Sequence, residues 1–325
     1  MERPLPNIVA ILLNLNNYPD TYDCLQSLAQ VKYSHLRIIV VDNGSSDDSF
    51  LLLQRNFPDV ETLRSDTNLG FTGGNNFGIA RALQRNADYV LLLNNDTLVD
   101  TDFLLPLVRV AEAEPNIGIV GPTILYASDP HRIWYAGGKA RYGLCSHANT
   151  GELDRKQNTD AHETGFVSGC AMLIKAGVLR KLGLLDDRLF VYHEDTEFCF
   201  RARKAGYRCM YVPEARIWHK VSRTCGKQSR FTLYLCTRNE LALAARYAPF
   251  VVKPGVLAYL LTKKMLKAAM LACTDRGSAA AVGAGILAFL RGSFGPPGDD
   301  KEPEQSTAVL SALAAGQSGE GGPKP

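Results

Sequence analysis

A chain of 325 residues, 46% of them hydrophobic, has room for one large domain or two small ones around a substantial core. Its 36 Lys and Arg against 33 Asp and Glu leave a net charge of +3, too little for a dedicated nucleic-acid binder, and no nucleic-acid partner is expected. None of the eight cysteines lies in a Cys-x-x-Cys pair, which argues against a zinc or thioredoxin-type site. Several, such as Cys170 and Cys199, have apolar neighbours, as expected of free thiols in a reducing cytosol.

In chain order, residues 7–13 (Asn-Ile-Val-Ala-Ile-Leu-Leu) read as a buried strand, reached with no charged-then-apolar leader, so no signal peptide is expected. The strand ends in Asn14-Leu15-Asn16-Asn17-Tyr18-Pro19, and Pro19 and Asp20 open a helix with Tyr22, Leu25 and Leu28 at helical spacing. Residues 36–41 form a second strand ending in Asp42-Asn43-Gly44-Ser45-Ser46. Ser46 or Asp47 then caps a helix through Leu51, Leu52 and Phe57. A weaker strand at 60–64 leads into a glycine-rich turn, Asn68 to Gly78, opening a helix with Phe77, Ala80 and Leu83 on one face.

Residues 89–93 form the fourth strand, a continuous apolar run that stops in Asn94-Asn95-Asp96. Four strand–helix alternations in about a hundred residues indicate an α/β fold with a mostly parallel sheet of the nucleotide-binding kind. Every one of these strands ends in small polar residues: Asn14 and Asn16; Asp42, Asn43 and Ser45; Asn68; Asn95 and Asp96. The carboxyl edge of such a sheet is where ligands bind. Asp42 there can hold a ribose hydroxyl or a base N–H, and Gly70, Gly73 and Gly74 let backbone approach a phosphate or sugar. Asp96 has two readings: an oxygen ligand for a divalent ion that grips a diphosphate, or part of a turn into a helix capped by Asp100, Thr101 or Asp102. Neither the dinucleotide fingerprint nor an ATP-binding P-loop is present.

A helix over 101–116 and a strand over 117–125 follow. Between 126 and 164 the sequence is polar and aromatic; Trp134, Tyr135 and Tyr142 either line a sugar site or form a local core. Residues 166–174 are apolar, and a short helix over 175–183 ends at Gly183. Glu194, Asp195 and Glu197 then precede a helix over 198–205. They complement its dipole, but their apolar flanks point to burial, and a desolvated carboxylate here, Asp195 in particular, can serve as a general base. A strand over 207–212 stops before Pro213. His219 is of interest as a further ligand beside Asp96. Lys220, Arg223, Lys227, Arg230 and Arg238 either pair with a diphosphate or form a solvated face.

From Phe231 the pattern is helical. No uncharged apolar run reaches about 18 residues, so no spanning helix is expected, but residues 256–272, interrupted by Lys263, Lys264 and Lys267, make a basic amphipathic helix. That helix lies either on a bilayer surface or on the domain's own core. Residues 293–325, rich in Gly, Pro, Glu and Ser, read as a disordered tail.

Taken together, Asn14-Leu15-Asn16, Val41 through Asp47, Asn68 through Phe71, Asn75-Asn76-Phe77-Gly78, Leu93 through Asp96, His193 through Glu197, and Tyr234 with Arg238-Asn239 run in an order that resembles family 2 glycosyltransferases of the GT-A fold, in the rhamnosyltransferase-like branch of bacterial polysaccharide synthesis. The resemblance covers about residues 7–240. It implies a glycosyltransferase domain over 1–240, with a donor-nucleotide half (1–125) and an acceptor half (126–240), followed by C-terminal helices over 241–292. The implied activity is inverting transfer of a sugar, with rhamnose as candidate, from a dTDP- or UDP-linked donor to a glycan or lipid-linked acceptor. Asn14, Asn16, Asp42, Asn43, Ser45, Asn68, Gly70, Phe71, Gly73, Asn75 and Asn95 would bind the donor. Asp96 and His219 would hold Mg2+ or Mn2+, and Asp195 with Glu194 would form the catalytic pair, Asp195 as base. The implied location is cytoplasmic, with the C-terminal helices as candidates for peripheral contact with the inner face of the membrane.

Two positions depart from the family pattern. Asparagine stands where the metal motif has its first acid, and Glu197 stands where aspartate is common, pointing to a changed acceptor site. The rival readings are a silent sugar-nucleotide-binding module, against which the full set of Asp42, Asp96 and Asp195 speaks, and a nucleotidyltransferase, whose basic glycine-rich loop is missing after the first strand.

Overall fold

The computed structural model describes residues 4–155, 160–221 and 229–296. The first half alternates β1 (Ile8–Asn14), α1 (Tyr18–Leu28), β2 (Leu36–Asp42), α2 (Ser49–Asn56), β3 (Glu61–Arg64), α3 (Gly70–Gln84) and β4 (Tyr89–Asn94). Then come β5 (Thr97–Val99), α4 (Leu104–Ala113), β6 (Ile117–Tyr126), β7 (Asp129–Tyr135), β8 (Gly138–Arg141), β9 (Leu144–His147), β10 (His162–Glu163), β11 (Ala171–Lys175) and α5 (Ala176–Leu182). The chain continues through α6 (Glu194–Lys204), β12 (Arg208–His219), α7 (Arg230–Tyr247), α8 (Lys253–Ala272) and α9 (Arg276–Arg291).

The main sheet runs in the order β10-β12-β6-β11-β4-β1-β2-β3. Strands β1 to β4 are mutually parallel where they pair, and β12 is parallel to β6. Strand β11 is inserted antiparallel between β4 and β6. Strands β1 and β4 are apolar on both faces because helices cover both sides of the sheet, and their side chains are almost wholly buried. Parallel register sets the strand ends level: Asn14 pairs with Asp42, and Leu13 with Asn94. The polar terminations of β1, β2 and β4 therefore form one rim, as the residue pattern led us to expect.

Three local expectations change. The glycine-rich segment is the first two turns of α3 itself, and its fully buried residues are Gly70, Thr72, Gly74, Asn75, Gly78, Ile79 and Ala82, with Phe77 and Leu83 partly buried against the same core. The glycines serve helix–sheet contact. A Cβ at Gly78 would sit 2.5 Å from Ile11 Cγ2 and 3.1 Å from Val41 Cγ2, and one at Gly74 would collide with Leu13. Gly73, one residue earlier, has only Leu69 against it. Second, the acidic residues 194, 195 and 197 lie inside the first turn of α6, not ahead of it. Third, β12 does not stop at Val212. Pro213 falls in an irregularity between Val212 and Arg216, where a missing N–H is tolerated, and pairing with β6 resumes as far as His219. The start of α2 is also set differently: Asp47 Oδ1 accepts from Ser49 N at 3.0 Å, an Asx turn ahead of the helix.

Helices α7, α8 and α9 pack together, with a small core of Leu241, Ala244 and Leu260 separate from the main one. Of the tail expected over 293–325, the start is instead tied to the fold, with Gly295 bonded to Arg188 and Arg238; residues 297–325 lie outside the described residues, as do Arg223 and Lys227 of the basic stretch. Its described members are engaged elsewhere. Lys220 Nζ donates to Asp20 (2.8 Å) and Asp23 (2.6 Å), Arg230 pairs with Asp275, and Arg238 is buried on carbonyls. Lys220 and Arg238 are thus committed to contacts within the fold, whereas Arg230 stays exposed beside Asp275.

Candidate active site

The rim begins as a buried network. Asn14 Nδ2 donates to Asp42 Oδ1 (3.0 Å) and Ser45 Oγ (3.2 Å), and Ser45 Oγ donates to the same Asp42 oxygen at 2.5 Å. Asn16 joins through its N–H to Ser45 Oγ, while its Oδ1 accepts from Ser46 N at 2.8 Å. Asp42 is fully buried, and its Oδ2 has no hydrogen-bond donor among the described residues; Arg64 Nε stands 3.7 Å away. A buried carboxylate oxygen left without a donor is costly unless a ligand completes it.

Thr21 was not legible as a site residue. Its Oγ1 donates to Asn14 Oδ1 at 2.8 Å and accepts from Asn95 Nδ2 at 2.8 Å, joining the end of β1 to the turn after β4. A threonine inside a helical stretch carries no sequence signal for that role.

Asn43 and Asn68 turn inward. Asn43 Nδ2 donates to Asn68 Oδ1 and Gly70 O, Asn43 Oδ1 accepts from Leu69 N, and Asn68 Oδ1 also accepts from Gly70 N. Together they build the turn that starts α3. Asn75 Nδ2 likewise caps Phe71 O within the helix. Gly70 needs φ +73°, and a side chain there would meet Phe190.

Asp96 lies in the tight turn between β4 and β5. Its path is a strand-to-strand turn, not the approach to a helix cap. Strand β5 pairs antiparallel with the end of β12, placing His219 opposite Thr97. As a result His219 Nε2 is 3.1 Å from Asp96 Oδ1, and Asp96 O accepts from Lys220 N at 2.9 Å. Both side chains are nearly buried. His219 Nδ1 has no partner among the described residues, and the edge of Trp134 meets its ring at 4.7 Å. Of the three aromatics weighed for a sugar site, only Trp134 adjoins these groups. Tyr135 is core, donating to Phe166 O, and Tyr142 sits at the β8–β9 turn under Arg141.

Asp195 reaches the same edge by a different route. Asn94 N donates to Cys170 O at 2.9 Å, and Gly169 N donates to Asp195 Oδ2 at 2.9 Å. The turn before β11 is thus hydrogen-bonded to the Asn94 strand end on one side and to Asp195 on the other. Asp195 Oδ1 accepts from Thr196 N and Oγ1. A Cβ at Gly169 would lie 3.4 Å from Asp195 Cβ and 3.5 Å from the Phe71 ring, so Phe71 and Asp195 flank the same glycine.

Desolvation falls on the neighbour. Burial first, and the adjacent Asp195 second, push the Glu194 carboxyl up to about 8, and its Oε2 has no hydrogen bond among the described residues. Glu194 therefore keeps its proton at neutral pH, which removes a like charge from beside Asp195. A raised carboxyl pKa stabilises the fold fully below the unfolded value of 4.5 and loses that contribution as pH rises through the folded value. Stability should thus fall between pH 4.5 and 8 by up to ~1.4 kcal/mol per pH unit from this group. Denaturant titrations across that range should show the slope flattened in Glu194→Gln; an identical slope would place the effect elsewhere.

Glu197 does not line an acceptor face. It is fully buried, bonded to Arg201 (2.9 Å) and to the Tyr247 hydroxyl (2.6 Å), with Arg246 at 3.3 Å, and so ties α6 to α7. The described cysteines are free thiols, and burial raises Cys24 and Cys236 to about 12 and Cys145 to about 11.

A half-parallel sheet with a polar carboxyl edge and two carboxylates brought to it from opposite ends of the fold is the architecture of GT-A glycosyltransferases. GalNAc-T7 with UDP, GalNAc and Mn2+ superposes with a TM-score of 0.59 at 18% identity over 73% of this chain and 48% of that one. The mannosyltransferase PcManGT from Pyrobaculum calidifontis in complex with GDP-Man and Mn2+ gives 0.53 at 18% identity over 95% of this chain and 80% of that one. The sequence profile "Glycosyl transferase family 2" matches residues 10–183, and the chain belongs to that family. A curated relative, the N-acetylglucosaminyl-diphospho-decaprenol L-rhamnosyltransferase of Mycobacterium tuberculosis, is 26% identical over 225 residues, 62% of this chain and 72% of its own. The protein is a family 2 glycosyltransferase, as its motifs implied.

Proposed function

We propose that the protein is an inverting glycosyltransferase that moves a sugar, with rhamnose as the candidate, from a dTDP- or UDP-linked donor to a hydroxyl of a cell-surface or lipid-linked glycan. The observation that carries this reading is the Gly169–Cys170 turn, hydrogen-bonded to both Asp195 and the Asn94 strand end. It gathers a candidate base and a candidate phosphate-side carboxylate at one sheet edge. The unfilled Oδ2 of Asp42 supports a nucleoside contact there. In this reading Asn14, Asn16, Ser45 and Asn95 frame the donor pocket, and Asn43, Asn68, Gly70, Gly73 and Asn75 shape its wall. Phe71 sits between donor and acceptor. Asp195 holds the acceptor hydroxyl's proton as that oxygen attacks the anomeric carbon and the nucleoside diphosphate departs from the opposite face.

Asp96 and His219 fit a divalent ion. A carboxylate oxygen and an imidazole nitrogen meet at 3.1 Å in a nearly buried turn, and no group of three or more such donors exists among the described residues. One carboxylate, with most positions left to phosphate and water, is a usual habit of Mg2+ at nucleotides, and Asp96 supplies that carboxylate. When bound there, Mg2+ or Mn2+ would neutralise charge on the leaving diphosphate. Titration of dTDP-, UDP- and GDP-sugars with and without Mn2+ tests the reading. Metal-dependent binding of one donor is expected, and binding of none would remove the rim as a nucleotide site.

The division at about residue 240 and a cytoplasmic location at the inner membrane face belong to the same proposal. No described helix is long and apolar enough to cross a membrane. Yet α8 exposes Tyr259, Leu266 and Met270 beside Lys263 and Lys267, and Phe250 and Val251 before it are 90% and 88% exposed. An apolar stripe edged by lysines suits an anionic lipid surface. The protein should float with anionic but not zwitterionic vesicles, less so as Lys263→Glu/Lys267→Glu; absence from both fractions would end this part of the proposal.

A further inference from the structure

The segment that delivers Glu194 and Asp195 is conformationally unusual. Phe190, Tyr192 and His193 have φ of +65°, +72° and +70°, three non-glycine residues in left-handed backbone within four positions. Such residues are strained and persist only where the surrounding structure holds them. The holding groups come from α7 and from the chain just beyond α9. Asn239 Nδ2 donates to the carbonyls of Leu189 (3.0 Å), Val191 (3.0 Å) and Tyr192 (2.8 Å). Arg238 Nη2 donates to Leu189 O at 3.0 Å, and its Nε donates to Asn239 Oδ1 at 2.9 Å, fixing which way the amide points. Both side chains are fully buried, and among the described residues neither forms an ion pair with a carboxylate. A buried guanidinium spent on backbone carbonyls is expensive to maintain, so its fork geometry has a specific use here.

Beyond α9 the chain returns to the same place. Gly295 N donates to Arg188 O at 2.8 Å, Gly295 O accepts from Arg238 Nη1 at 2.6 Å, and the Phe294 ring lies over both Arg188 and Arg238. On the other side of the loop, Thr72 N donates to Phe190 O at 3.1 Å. The loop is gripped between the donor-side helix α3 and a clamp contributed by the C-terminal helices.

We propose that Arg238 and Asn239, braced by Phe294 and Gly295, are positioning residues that hold the 188–193 loop so that Asp195 faces the reacting oxygen. The inference rests on Asp195 as the base, and its test has one readout that does not. In the full-length protein, Asn239→Ala should speed amide hydrogen exchange over residues 192–196 at least ~10-fold, leaving β1 and β4 protected. The same variant should lower kcat per folded molecule by ~10–100-fold with the donor Kd within about twofold, since misplacement of a catalytic group by about 1 Å has that scale. Arg238→Lys, which keeps charge but not the fork, and Phe294→Ala, which removes only the brace, should move both readouts in the same direction, Phe294→Ala least. They stand in if Asn239→Ala does not fold. Unchanged exchange overturns the clamp. Faster exchange with unchanged kcat, or kcat falling only in step with donor affinity, overturns its positioning role. If Asp195→Asn proves fully active, the assignment of the base fails, and the exchange experiment still decides whether the clamp exists.

Discussion

Asp195→Asn should abolish sugar transfer while leaving donor binding intact. The substitution keeps the shape but only one oxygen, which can accept from Gly169 N or from Thr196, donors that meet separate oxygens of Asp195, so one of the two ties at the turn before β11 should survive. What it removes is the capacity to take a proton. General-base catalysis contributes roughly 10²–10⁴-fold, and a loss on that scale in kcat, with Kd for the nucleotide sugar unchanged, is the expected result. The measurement pairs product formation with calorimetric donor titration. Transfer at the parental rate would free Asp195 from the role of base, and donor affinity falling with activity would make it a donor-site residue instead. Glu194 is a poor substitute for the role, because burial leaves it protonated at neutral pH.

The second large effect is expected at Asp96. In Asp96→Ala the Mn2+-dependent part of donor binding should vanish, and transfer should fall by about 10²–10³-fold, the rate equivalent of losing several kcal/mol of charge stabilisation at the diphosphate. His219→Ala should weaken metal dependence in the same direction, since its Nε2 lies 3.1 Å from Asp96 Oδ1. The donor titration with and without Mn2+ reads both. Metal dependence persisting unchanged in Asp96→Ala would mean that the ion is held elsewhere or that the family's metal is not used. Asn95, one of the two asparagines standing where the family motif has its first acid, donates to Thr21 Oγ1 at 2.8 Å.

Much of this was legible in residues alone. Apolar runs ending in Asn14, Asp42 and Asn94 defined buried parallel strands with polar carboxyl ends, because strand burial and turn chemistry are local properties written within a few residues. The ordered set of short motifs was enough to name the family. The glycines of α3 were also visible, but their purpose was not. Packing against Ile11, Leu13 and Val41 depends on which helix covers which strand, and a glycine run reads the same whether it approaches a phosphate or a sheet.

Only the tertiary structure decided which groups meet. His219 reaches Asp96 because β12 runs past Pro213 and pairs with β5; Asp195 reaches the rim because β11 enters antiparallel beside β4. It likewise showed that Glu197 and the described basic residues are tied up in structural pairs, and that Arg238 and Asn239 grip the loop before the carboxylates. The physical reason is range: sequence periodicity records a residue's own burial and backbone state, whereas these pairings join segments 26 to 200 residues apart through strand order and register, which no short window contains.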